Sequence, residues 1–211
     1  PDGTEVAFAS SRAGNWELYA VDVATGKERR LTNHPAADVA PVWSPDGKRI
    51  AFTSNPTRKD FQTRIMLINA DGSALAPLTD FSSGLARWSP DGTRLAFQSN
   101  RDGNWEIYVM NADGSSRTKV IEGCEQPSWS PDGGRIVCKG CIGSNCGLLV
   151  ANADGSNKRL ISDNANDSSP AWSPGGGYIL FTSNRSGNLD VWIMRADGTN
   201  LQQLPTTPPS D

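Results

Sequence analysis

The phrase Trp-Ser-Pro-Asp-Gly stands at Trp43–Gly47, Trp88–Gly92 and Trp129–Gly133, with a variant at Trp172–Gly176 and a partial form at Pro1–Gly3. From proline to proline the steps are 44, 45, 41 and 43 residues. A repeat of about 40–45 residues with short strands and Gly-rich turns has the size of one four-stranded propeller blade. Five phases, 1–44, 45–89, 90–130, 131–173 and 174–211, fill the chain, so we expect one β-propeller domain over residues 1–211.

The clearest unit runs from Gln126 to Leu160. Gln126–Ser130, Arg135–Lys139, Gly147–Ala151 and Lys158–Ile161 read as strands, separated by turns at Pro131-Asp132-Gly133-Gly134 and Asn152-Ala153-Asp154-Gly155. Asp-Gly between apolar runs is a hairpin signal, and the absence of a sustained 3.6-residue period predicts almost no helix. Each unit is then a meander of strands A to D, counted from the innermost outward. One such sheet cannot bury both of its faces alone, so blades stack on one another. Trp43, Trp88, Trp129 and Trp172 close strand A and are expected to pack between blades. The first phase has no Trp-bearing strand A. The expected fold is therefore an all-β propeller of about five four-stranded blades, the first lacking its innermost strand. An unpaired edge at Glu5–Ser10 invites a partner. Either the tail Leu201–Asp211 folds back beside it, or another chain covers it by self-association.

Net charge is −3 with both signs interspersed, which argues against nucleic acid and acidic membrane as partners. No apolar run approaches the roughly 18 residues of a membrane span, and no signal peptide is legible. Beginning inside the repeat phrase suggests a trimmed chain or a fragment. The single histidine, His34, lies in the link Asn33-His34-Pro35 and reads as a turn residue rather than a base. There is no Gly-x-Ser-x-Gly elbow, phosphate loop, dinucleotide fingerprint or His-rich metal motif. Asp46, Asp71, Asp91, Asp113, Asp132, Asp154 and Asp197 sit in Asp-Gly turns, which explain them without chemistry and lack the acidic ladder of a calcium loop. No catalytic residue, metal or cofactor is expected. Asn166-Asp-Ser and Asn184-Arg-Ser are formal glycosylation sequons.

All four cysteines, Cys124, Cys138, Cys141 and Cys146, fall in one phase. Four cysteines allow three pairings. Cys138 with Cys141 is excluded if both lie on one extended strand, since three residues span about 10 Å and a disulfide needs Cα atoms within roughly 7 Å. That leaves Cys141–Cys146 with Cys124–Cys138, or Cys124–Cys141 with Cys138–Cys146. The first is preferred because Cys141 and Cys146 flank the turn Ile142–Asn145. Free thiols and a four-cysteine zinc site are the alternatives. Trp16 and Trp105, which match Cys146 in position, are expected to contribute blade packing.

The run Trp88-Ser-Pro-Asp-Gly-Thr-Arg-Leu-Ala-Phe-Gln-Ser-Asn-Arg-Asp-Gly-Asn-Trp-Glu-Ile-Tyr-Val-Met-Asn-Ala-Asp-Gly-Ser116 resembles the repeat of the TolB-like, or WD-like, propellers. Leu31–Asp38, leading into Pro41–Pro45, is similar to that family's link between blades. The resemblance covers essentially the whole chain and implies a closed propeller, usually outside the cytoplasm, so a periplasmic or secreted location is expected. Members include a periplasmic protein that binds an envelope lipoprotein, propeller domains of prolyl-oligopeptidase-type peptidases, and some polysaccharide lyases. Fold analogy does not choose among these. The member that names the family has six blades and an extra N-terminal domain, whereas this sequence shows five phases.

The expected function is a non-catalytic binding scaffold for a protein or glycan partner, with the propeller of a larger peptidase or lyase as the alternative. Turns A–B and C–D are monotonous, while links B–C and D–A carry the individuality, so the partner is expected on the B–C/D–A face. The B–C loop of the second blade, Asn55–Thr63, is three residues longer than its counterpart: Phe52 to Asn69 is 17 steps, Phe97 to Asn111 is 14. It presents Arg58, Lys59 and Phe61, a cation and aromatic mix common in interfaces. Arg12, Arg101 and Arg185 take equivalent B–C positions and could meet a partner's carboxylates. The plainer expectation is that each pairs with an acid of an adjacent blade.

Overall fold

In a computed structural model the protein is described over residues 1–55 and 62–205, and among these every regular element is a strand. The chain divides into two compact units, Pro1–Lys119 and Val120–Asp211. The first unit opens with a three-stranded sheet, β1 (Glu5–Ser10), β2 (Glu17–Asp22) and β3 (Glu28–Arg30). A four-stranded sheet follows, made of β4 (Ala37–Trp43), β5 (Arg49–Asn55), β6 (Arg64–Asn69) and β7 (Ala76–Pro77). The third comprises β8 (Ser83–Trp88), β9 (Arg94–Ser99), β10 (Glu106–Asn111) and β11 (Thr118–Glu122), whose outermost strand carries the chain into the second unit. There lie the fourth sheet, β12 (Cys124–Trp129), β13 (Arg135–Ile142), β14 (Asn145–Asn152) and β15 (Arg159–Leu160), and the fifth. The fifth is β16 (Ser168–Trp172), β17 (Tyr178–Ser183), β18 (Asp190–Arg195) and β19 (Gln202–Gln203). Every pairing is antiparallel between sequence neighbours, the order of a propeller blade. The five blades stand as expected, and among the described residues the first has no strand A.

The repeat phrase folds as a hydrogen-bonded turn. Ser44 Oγ donates to Asp46 Oδ1 at 2.5 Å, the Lys48 amide donates to the same oxygen at 3.1 Å, and Gly47 takes φ 69°. That φ strains residues with a side chain, which is why glycine follows the aspartate. The Ser-Pro-Asp-Gly part of the phrase repeats because the serine and aspartate side chains bond one another and the turn's own amides.

Strand A carries a further device that the repeat phrase does not reveal. Ala40, Leu85, Gln126 and Ser169, each three residues before the tryptophan, have φ of 52°, 49°, 57° and 52°. The register slips there, between Val39 and Val42, Gly84 and Arg87, Glu125 and Ser128, and Ser168 and Ala171. A bulge of this kind re-aims side chains. Two residues upstream of each bulge, Asp38, Ser83, Cys124 and Asp167 are buried.

Within each unit the blades meet through one repeated joint. Leu18, Ala20 and Leu31 of the first blade pack on Ile50, Phe52 and Ile68 of the second, with Trp43 beside them. Ala51, Ile65 and Leu78 of the second meet Trp88, Leu95, Phe97 and Met110 of the third. Val137, Leu148, Val150 and Ile161 of the fourth meet Trp172, Ile179, Phe181 and Met194 of the fifth. Trp43, Trp88 and Trp172 thus pack between blades, and Trp88 Nε1 donates to Val42 O at 3.2 Å. Trp16 and Trp105 do not follow the expectation: they are 48% and 41% exposed. Both immediately precede strand C, beyond the reach of the blade joint.

The cysteines form Cys124–Cys138 and Cys141–Cys146, with Cα separations of 6.0 and 4.1 Å. Cys141 and Cys146 are directly cross-strand in the β13–β14 hairpin, as the turn between them implied. Cys138 stands where other blades place Phe52, Phe97 or Phe181, and Cys124 stands where they place Asp38, Ser83 or Asp167. The buried bridge therefore stands where other blades set a phenylalanine of strand B beside a small or acidic residue of strand A. Gln202–Gln203 of the expected closing tail pair with β18, and 206–211 lie outside the described residues.

Candidate functional site

The B–C and D–A links of the first unit gather a cluster of polar groups at one end of the sheets. Asn15 holds the link between blades one and two: its Nδ2 donates to His34 O at 2.8 Å and to Ala36 O at 2.7 Å. Glu17, the first residue of β2, is buried beneath it. Its carboxylate accepts from Thr32 Oγ1 at 2.6 Å and from the His34 amide at 3.2 Å, and Arg30 lies 2.9 Å away. Burial pushes the Glu17 carboxyl up, but Thr32, Asn15, Arg30 and His34 together hold it below its ordinary value.

Asp38 is fully buried under the same link. Ser54 Oγ donates to its Oδ1 at 2.6 Å, and His34 Nε2 faces Oδ2 at 3.0 Å. Desolvation dominates and raises the Asp38 carboxyl above its usual range, against the lowering influence of Ser54 and His34. The other imidazole nitrogen, Nδ1, accepts the Ala36 amide at 3.2 Å. That contact leaves the ring proton on Nε2, which stands 3.0 Å from Asp38 Oδ2 without forming a hydrogen bond. The order Ser54–Asp38–His34 differs from a hydrolytic triad, where histidine stands between acid and nucleophile. His34 therefore fastens the link through Nδ1 and lies against the buried carboxylate through Nε2.

The outer side of this cluster opens into a groove of about 410 Å³. Its walls are mainly apolar, Pro35, Ala36, Met66, Leu75 and Pro77, with His34, Ser54 and Arg64 supplying the polar groups. The Arg64 guanidinium has no hydrogen bond or ion pair with a described residue. A concave apolar wall with a few placed polar groups is the ordinary composition of a binding site. It lies where β5 and β6 lead into the long B–C loop. Arg58, Lys59 and Phe61 of that loop lie outside the described residues.

The three equivalent arginines have a common seat. The Ser10, Ser99 and Ser183 hydroxyls accept the backbone amides of Arg12, Arg101 and Arg185 at 3.4, 3.2 and 3.3 Å. Each guanidinium then lies over aromatic rings: Arg12 over Phe8 and Tyr19, Arg101 over Phe81 and Tyr108, Arg185 over Phe181 and Trp192, at 4.7–5.5 Å. They pair with Glu28, Asp102 and Asp167 respectively. These acids belong to the same blade, not an adjacent one, because the fork lies flat on its own sheet. Arg12 and Arg101 lie in the first unit and Arg185 in the second, each seated on its own blade. The groove and the Glu17–Asp38 cluster escaped the sequence reading. Position-by-position alignment of Asp38 with Ser83, Cys124 and Asp167 was the signal that could have shown the buried acid.

Among the described residues no group of acids, histidines and cysteines is arranged to hold a metal ion, and no helix is long and apolar enough to cross a membrane. Blades of antiparallel meander, joined by interleaved apolar faces and displaying variable links at one end, define a β-propeller repeat protein. The profile described as "TolB beta propeller domain" matches residues 1–82 and 122–208, and the chain belongs to that family. Over 78 residues, 37% of the chain, it is 36% identical to the Tol-Pal system protein TolB of Francisella tularensis subsp. mediasiatica, and the match covers 18% of that relative. The crystal structure of TolB from Acinetobacter baumannii superposes on 98% of the chain with TM-score 0.84 and 24% identity. This chain spans 52% of that protein. A puromycin-hydrolyzing peptidase of Mycobacterium tuberculosis shares the fold, with TM-score 0.77 and 17% identity, over all of this chain and 37% of its own.

Proposed function

We propose that this chain is a non-catalytic binding scaffold that holds a protein partner at the B–C/D–A end of its first unit. The observation that carries the reading is the groove beside the His34 link, apolar along its wall and bearing the Arg64 cation, which pairs with no described residue. Such a groove suits an apolar segment that presents a carboxylate. The long B–C loop rises from the same strands, so Arg58, Lys59 and Phe61 are proposed to complete the contact. Loops displayed on a rigid sheet commonly carry function. The relatives' designation as Tol-Pal system proteins supports an envelope partner, and two disulfides suit an oxidising, periplasmic or secreted setting. A glycan is the other ligand the scaffold could present, but the mainly apolar wall favours protein.

The peptidase-like fold supports a second reading, a propeller that docks substrate for an attached hydrolase domain. We prefer the first reading, because the groove beside the His34 link is built entirely from this chain's own blades. Calorimetric titration with the soluble domain of a Tol-Pal envelope lipoprotein tests it. Arg64→Glu, and the triple change Arg58→Ala, Lys59→Ala and Phe61→Ser, should each weaken binding about tenfold or more without altering the melting temperature. Full binding by both variants would reject the proposed site.

A further inference from the structure

On strand C, the residue opposite the strand-B phenylalanine is itself a ring in three blades. Tyr19 stands opposite Phe8, Tyr108 opposite Phe97 and Trp192 opposite Phe181. Each ring lies under the arginine of its own B–C link, Arg12, Arg101 or Arg185, at 4.7–5.1 Å. The second blade departs from this pattern: Met66 stands opposite Phe52, with Pro77 on its other side. A thioether takes the seat of a ring, and that seat forms part of the groove wall beside Pro35, Leu75 and Pro77.

The chain has three methionines. Met110 and Met194 are each 1% exposed and packed into blade joints, whereas Met66 is only partly buried and lines the groove. Oxidation of a thioether requires that the oxidant reach the sulfur, so exposure ranks the three. Met66 and Arg64 are two residues apart on β6 and therefore share a face of the sheet, and both line the groove.

We propose that Met66 is an oxidation site, and that its conversion to the sulfoxide turns the groove from apolar to polar. Hydrogen peroxide is the oxidant: the sulfur lone pair attacks one peroxide oxygen, an S–O bond forms and the O–O bond breaks. The second oxygen leaves with both protons as water, so sulfur is oxidised by two electrons and peroxide is reduced by two. A dithiol reverses the step through a sulfoxide reductase, giving the thioether, a disulfide and water. The consequence for a partner rests on the proposed seating of an apolar segment that presents a carboxylate. The sulfoxide oxygen is a hydrogen-bond acceptor on the face that carries Arg64. It competes for the guanidinium the carboxylate would use, and it puts a polar group beneath the apolar part of the segment.

Timed exposure of the folded chain to hydrogen peroxide, followed by digestion and mass spectrometry, tests the site. Met66 should gain one oxygen about tenfold or more faster than Met110 and Met194. Equal rates in the folded chain would overturn the proposal. The Arg64 Nε–H resonance of the labelled chain tests the change in the groove without any partner. It should move when the parent is oxidised and stay in place in peroxide-treated Met66→Leu, which carries the side chain the fourth blade uses there as Leu149. An unmoved resonance in the fully oxidised parent would overturn the change in the groove. Titration with the soluble domain of a Tol-Pal envelope lipoprotein then compares each protein with its own untreated sample. The parent should bind about tenfold more weakly after oxidation and recover on sulfoxide reduction, while Met66→Leu should not respond to peroxide. Binding that survives full oxidation of the parent would count against this inference alone. An untreated parent that fails to bind rejects the proposed partner, and the rate order and the resonance shift still decide the inference.

Discussion

His34 Nε2 lies 3.0 Å from Asp38 Oδ2, and the carboxylate is fully buried while the imidazole borders the groove. The pair anchors the link between blades one and two from below. Asp38→Ala would leave the Ser54 hydroxyl without its acceptor and remove the ring's partner, costing about 2 kcal/mol. Asp38→Ser, the residue the third blade uses there, should cost less. Urea unfolding with equal slopes for all three proteins would measure both losses.

The turn aspartates and Asp38 pull stability in opposite directions with pH. Asp91 accepts from Ser89 Oγ at 2.5 Å and the Thr93 amide at 3.0 Å, which lowers its carboxyl from 3.8 to about 2. A depressed acid stabilises the fold above its unfolded value, and that contribution is lost as pH falls from about 4 toward 2. Asp38 is raised by burial, so its contribution falls as pH rises through its folded value. Carboxyl NMR titration should find Asp91 still ionised at pH 3 and Asp38 among the last carboxyls to lose its proton. Reversal of that order would contradict the geometry.

Arg185 and its equivalents should respond unequally to truncation. The Arg185 side chain is 15% exposed and its partner Asp167 is buried, whereas Arg12 and Arg101 are 47% and 40% exposed. Arg185→Ala strands a buried carboxylate and should cost about 3 kcal/mol. Arg12→Ala and Arg101→Ala should each cost under about 1 kcal/mol, since their ion pairs face water. Equal losses on chemical unfolding would show that ring stacking, not the ion pair, sets the strength.

The two disulfides should differ in both strength and access. Cys124–Cys138 closes the longer loop, with a separation of 14 residues against 5 for Cys141–Cys146. Loop entropy gives about 3 and about 2 kcal/mol respectively. Cys124 and Cys138 are buried while Cys141 is exposed, so a mild reductant should open Cys141–Cys146 first. Alkylation followed by mass spectrometry reads the order, and calorimetry of the paired Cys→Ala variants reads the loss.

The architecture was legible because the Ser-Pro-Asp-Gly turn is satisfied by its own side chains, so it repeats wherever the turn does. The cysteine pairing was legible because a short turn leaves Cys141 and Cys146 face to face. The strand-A bulge was not, since Ala40, Leu85, Gln126 and Ser169 share a backbone conformation and no side-chain chemistry. The groove was hidden for a related reason: Pro35, Met66, Leu75 and Pro77 come from three separate segments and converge only when the meander folds. Trp16 and Trp105 misled because aromatic recurrence reads as packing, whereas their place just before strand C lies outside the joint.

The central claim is that a partner seats in the groove beside the His34 link. Amide NMR of the labelled chain, titrated with the soluble domain of a Tol-Pal envelope lipoprotein, tests it most directly. The account predicts saturable shifts concentrated at His34–Ala36, Ser54, Arg64–Met66 and Leu75–Pro77, lost in Arg64→Glu. Shifts confined to the Asp-Gly turns at the opposite end of the sheets, or unchanged in Arg64→Glu, would contradict it.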